Sequence, residues 1–118
     1  MSKTKIVQDP VNQQMWEIRI IRQGEAYGLN DKLTHDSALP LVEFFSYEKG
    51  KEDKYFFVSR YYVETLLNSN AHGIQLDGRA PAFTLHEQAY ADVLTWLREQ
   101  CPDVVQQLSR PAQPLELL

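Results

Sequence analysis

The chain has 118 residues, 43% hydrophobic and 24% charged, which suits one domain with an ordinary core. Its net charge of −4 and pI near 5.3 argue against a general nucleic-acid binder, which would turn a basic stripe toward phosphates. One cysteine, Cys101, excludes an internal disulfide and a multi-cysteine zinc site within the chain, and no apolar run approaches the roughly 18 residues of a membrane span, so the expectation is a cytoplasmic protein with no membrane partner.

Residues 1–12 are polar, include Pro10, and read as a loosely held, flexible arm. From Met15 to Arg22 the pattern alternates, with Trp16, Ile18 and Ile20 on one side and Glu17, Arg19 and Arg22 mostly on the other, which predicts a half-buried strand. Gln23-Gly24-Glu25 supplies a turn, and Ala26 to Lys32 is expected to return as the second arm of a hairpin, weakened by Gly28. Thr34 to Pro40 is turn-prone. Leu41 to Tyr47 carries apolar groups on both faces, the signature of a central strand.

Glu48 to Lys54 holds six charges and one glycine, a solvated hairpin loop that leads back into Tyr55-Phe56-Phe57-Val58. That second run is aromatic and β-branched and predicts a strand. From Ser59 the apolar positions become Tyr62, Val63, Leu66 and Leu67, a helical stripe, with Ser59 placed to cap it and Arg60 and Glu64 one turn apart on its outer face. Asn68 to Gly73 offers residues for a left-handed helix end, Ile74-Gln75-Leu76 a short strand, Asp77-Gly78-Arg79 a turn and Pro81 to Phe83 a return. Thr84-Leu85-His86-Glu87 fits a capping box, opening a helix that buries Leu85, Ala89, Val93, Trp96 and Leu97. Pro102 suits the first turn of a last short helix, and residues 111–118 read as a tail.

The expected architecture is a single α+β domain over residues 13–110. It comprises an antiparallel sheet of three to four strands with two main helices packed on one face.

Candidate chemistry is sparse. His86-Glu87 resembles the start of a zinc-protease helix, but position 90 holds Tyr where a second His is needed, so no metal is expected. Glycine-rich phosphate loops are absent, and no cofactor is implied. Cys101 follows Leu97 by one helical turn, which predicts a buried, inert thiol. Tyr27, Asn30, Asp31, His35 and Asp36 form the richest group of acids and bases, yet no nucleophile stands at a recognisable spacing, so no catalytic residue is assigned. Six Tyr and two Trp exceed what so small a core needs, and exposed aromatics anchor interfaces. Tyr61, beside Arg60, points away from the helical stripe.

The blocks Trp16-Glu17-Ile18-Arg19-Ile20-Ile21, Tyr27-Gly28-Leu29-Asn30-Asp31, Thr34-His35-Asp36 and Phe57-Val58-Ser59-Arg60-Tyr61-Tyr62 resemble small uncharacterised proteins encoded on bacterial mobile elements. The resemblance implies a bacterial cytoplasmic protein and brings no activity with it. The leading expectation is a small binding or interaction module, with a homodimer among its possible forms. It recognises a protein or small ligand through Tyr27, Asn30, Asp31, His35, Asp36, Arg60 and Tyr61. The alternative is a small hydrolase or isomerase working from the Tyr27–Asp36 loop.

Overall fold

All seven residues from Leu41 to Tyr47 are buried. A strand reaches that state only with a neighbour on each edge and cover on each face. A computed structural model supplies both; it describes residues 3–28, 31–54, 56–68, 74–75 and 84–108. The elements run β1 (Lys3–Gln8), β2 (Met15–Ile21), β3 (Ala26–Tyr27), β4 (Leu33–Thr34), β5 (Leu41–Tyr47), β6 (Phe56–Tyr62), α1 (Val63–Leu67), β7 (Ile74–Gln75), β8 (Thr84–Leu85), α2 (Glu87–Gln100) and α3 (Pro102–Leu108). The main sheet is antiparallel in the order β1-β2-β5-β6, with β3-β4 and β7-β8 as separate two-stranded ribbons. The chain is thus a single α+β domain with an antiparallel sheet of four strands, within the expected three to four. Among the described residues no helix is long and apolar enough to cross a membrane.

Alternation along the strands sorts the side chains. Trp16, Ile18 and Ile20 of β2 and Val42 and Phe44 of β5 share one face, where they meet Val63 and Leu66 of α1, Leu85, and Ala89, Tyr90, Val93 and Leu97 of α2, with Cys101 and Val104 closing the cluster. The thiol of Cys101 is buried, and burial pushes its pKa up. The opposite face carries Glu17, Arg19, Glu43, Phe45 and Arg60 and is approached by the β3-β4 ribbon.

Several expectations are corrected. The arm predicted over residues 1–12 is, from Lys3 to Gln8, the edge strand β1, paired along its whole length with β2. Its polarity is that of an edge, where lysines discourage further pairing, rather than of a loose segment. Ala26 does not return along β2, because both edges of β2 are taken by β1 and β5. Instead Ala26-Tyr27 pairs with Leu33-Thr34.

Ser59 caps nothing, and the strand continues to Tyr62. Of the expected helical stripe, Val63, Leu66 and Leu67 do lie on α1, but the helix begins only at Val63 and Tyr62 closes the strand. β6 also carries a bulge: Phe44 faces Ser59 but Phe45 faces Phe57, so Val58 is an extra residue, and Val58 and Tyr61 both pack on the core cluster. Arg60 therefore pairs across the sheet with Glu43 and not along a helix with Glu64.

At α2 the cap position is His86, not Thr84, which lies in β8. β7 pairs with Thr84–Leu85; the turn at Asp77–Arg79, the return at Pro81–Phe83 and the tail at 111–118 lie outside the described residues. α1 ends at Asn68 in a right-handed conformation (φ −86°). α3 forms where the sequence places it.

Polar ties from Asp9 and Arg22 help hold the helical layer to the sheet. The fully buried carboxylate of Asp9 accepts from the N–H groups of Val11 (2.8 Å), Asn12 (3.2 Å) and His86 (2.8 Å), joining the β1-β2 turn to the start of α2. Arg22, just past β2, donates to both carboxylate oxygens of Asp103 (3.1 and 3.3 Å) and to the carbonyl of Gln100 (3.1 Å). Asp9→Ala removes the acceptor shared by three backbone N–H groups and should cost about 2 kcal/mol, read from urea denaturation. The Arg22 hydrogen bond holds the Asp103 carboxyl below its ordinary range. A depressed folded pKa contributes stability that is complete above the unfolded value near pH 4 and is lost as pH falls through the folded one. Asp103→Asn should therefore flatten the acid limb of the stability–pH curve while leaving its neutral plateau sloped as before.

Candidate functional site

On the face away from the helices, Arg19, Glu43 and Arg60 stand directly opposite one another on three neighbouring strands. Opposite charges placed across a ladder attract, and here the middle one is fully buried. Glu43 Oε2 accepts from Arg60 Nη2 (2.8 Å) and Nε (3.1 Å), and the backbone N–H of Gly28 donates to both carboxylate oxygens at 3.4 and 3.3 Å. Gly28 presents that N–H from a left-handed conformation (φ +92°), which a side chain would strain.

The Arg60 guanidinium is held by two aromatic rings as well. Its carbon lies 4.7 Å from the centroid of the Tyr27 ring and 4.8 Å from that of Phe57. Arg19 is treated alike, 4.5 Å over Phe45 and 3.0 Å from Glu17. Phe45 and Phe57 meet edge to face. Arg60 is thus immobilised through Nε and Nη2, while Nη1 has no hydrogen-bond partner among the described residues.

Arg60 borders an open cleft of about 470 Å³, lined also by Tyr27, His35, Asp36, Ser37, Leu41, Tyr61, Tyr62 and Thr65. The ribbon supplies one wall and the end of β6 with α1 the other. His35 is buried; its Nε2 lies 2.6 Å from the carbonyl of Leu39, which can only accept, so Nε2 carries the proton. Its ring also stands edge-on to Tyr27.

Of the residues singled out in the sequence, Tyr27, His35, Asp36, Arg60 and Tyr61 therefore share one cleft although they come from distant parts of the chain. Asp31 does not join them: it is exposed, in a left-handed conformation (φ +52°), with its carboxylate 3.7 Å from Arg19. Asn30 lies outside the described residues. Among the described residues neither Asp31 nor Asp36 hydrogen-bonds or ion-pairs with a His or Tyr side chain, and no three His, Cys, Asp or Glu side chains cluster as a metal site.

Sequence reasoning missed Glu43, Leu41 and Tyr62. For Glu43 a signal existed, one carboxylate inside an otherwise apolar central strand; a charge there demands a partner on an adjacent strand. Tyr62 stands 45% exposed at the lip of the cleft.

The chain matches no protein-family model, no curated protein and no solved structure.

Arg60→Ala strands a buried carboxylate and should destabilise the fold by about 3 kcal/mol, whereas the paired change Glu43→Leu with Arg60→Leu should recover most of that loss. Thermal or chemical unfolding of the three proteins checks the difference.

Proposed function

We propose that this chain is a binding module whose ligand occupies the cleft over Arg60. One observation supports the reading above the others: an arginine held by a buried carboxylate and two aromatic rings lines an open cavity and keeps its Nη1 donors unused among the described residues. Groups fixed in advance lose little conformational freedom when a ligand arrives, so a modest cleft can bind selectively. Tyr27, Tyr61 and Tyr62 give broad contact area at low entropic cost, and the donors select a planar acceptor such as a carboxylate or amide carbonyl.

The hydrolase or isomerase alternative finds less support. The Nε2–H of His35 donates to Leu39, which leaves Nδ1 as the ring's lone pair, but a general base of this kind is normally oriented by a third group. No carboxylate among the described residues hydrogen-bonds to the ring.

Titration of the labelled protein with benzoate and benzamide, followed by amide correlation spectra, should concentrate its changes at residues 27–28, 35–37 and 60–65. Tyr62→Ala, at an exposed position, should weaken that response about fivefold, the loss of roughly 1 kcal/mol of aromatic contact. Changes confined to other surfaces would defeat the reading.

A further inference from the structure

We infer that the cleft receives an extended peptide, which adds as a fifth strand on the free edge of β6 and carries a large apolar residue followed two positions later by an acidic one. The inference rests on the cleft reading above and makes it specific.

The first ground is the direction of the backbone. The N–H of Val63 donates to the carbonyl of Pro40, directly opposite it, in continuation of the register Leu41↔Tyr62 and Glu43↔Arg60. In an antiparallel ladder, bonded and non-bonded pairs alternate. Since 63 and 40 are a bonded pair, 62 with 41 and 60 with 43 are non-bonded pairs. The N–H and C=O groups of Arg60 and Tyr62 therefore point away from β5, toward the edge. Neither residue's backbone has another partner among the described residues.

The second ground is the cleft itself. Arg60, Tyr61 and Tyr62 are consecutive in a strand, so their side chains alternate between faces, yet all three line one cavity. A cavity that touches three successive strand residues runs along the strand's edge. The open stretch is short. The Val58 bulge distorts the edge before Ser59, and α1 begins at Val63. That length suits a peptide of a few residues better than edge-to-edge pairing of two whole sheets.

The third ground sets the chemistry of the side chains. Across the sheet, one row reads Arg19, Glu43, Arg60, alternating in sign. The next strand's residue opposite Arg60 would meet Nη1, and a carboxylate continues the alternation. The neighbouring row reads Ile21, Leu41, Tyr62, and continues with a large apolar side chain. For a strand antiparallel to β6 the apolar residue, opposite Tyr62, comes first and the acid two positions later.

The test uses an end-blocked pentapeptide with leucine second and glutamate fourth, titrated into the full chain. We expect saturable shifts at the amides of residues 60–62 and slowed hydrogen exchange at Arg60 and Tyr62. Replacing the glutamate by lysine, or N-methylating it to remove its strand hydrogen bond, should each weaken binding about tenfold or more. No binding by the parent peptide at millimolar concentration overturns the inference. Equal binding of the N-methylated peptide overturns strand addition but leaves the cleft reading standing. A dimer by sedimentation in which the Arg60 and Tyr62 amides are already protected without peptide would assign the edge to a second copy and overturn it as well.

Discussion

A carboxylate with no solvent exposure sits at the middle of the central strand, and the surroundings of Glu43 follow from that. A buried, unpaired charge is costly, so the strand on one side must bring a guanidinium to it, and it does so with Arg60 at 2.8 Å. The remaining oxygen needs a donor from above, which the Gly28 N–H supplies. That requirement anchors the β3-β4 ribbon over the sheet, and with the ribbon come Tyr27 and His35. The cleft is a consequence of how the carboxylate is neutralised.

The two faces of the sheet are stabilised by different physics. On the helical side, non-directional burial of Trp16, Ile18, Phe44, Val93 and Leu97 dominates, and the polar groups of Asp9 and Arg22 set where the helices sit. On the ribbon side, cations lie on aromatic rings and hydrogen-bond to carboxylates, contacts that depend on direction. Shape-tolerant packing suits a core. Directional contacts suit a face that must hold donors and rings in place for a ligand, and both candidate interactions, the Arg60 donors and the β6 edge, lie there or along its rim.

The expected elements that survived are those whose pattern a neighbour could not overrule. β2 and β5 show period-two alternation or uniform burial, and α2 shows a wide apolar stripe, so each was legible. β1 was not, because an edge strand has no need of apolar residues. The junction near Ser59 misled because Tyr62, the last residue of β6, adjoins the true helical stripe of Val63, Leu66 and Leu67, so the apolar pattern runs from strand into helix without a break. Of the site, Tyr27, His35, Asp36, Arg60 and Tyr61 could be named as chemistry-bearing residues in two separate segments. Their meeting around Glu43 could not be named.

By itself the chain determined its class, its central strand, its long helix and the burial of Cys101, since each depends on local periodicity or on the hydrophobicity of a few neighbouring residues. Tertiary structure decided the pairing of β1, the course of β6 through Tyr62, the partner of Arg60 and the existence of a cleft. Those depend on which strand edges are vacant and on which distant group must neutralise a buried charge, and neither is encoded in the spacing of residues along one segment.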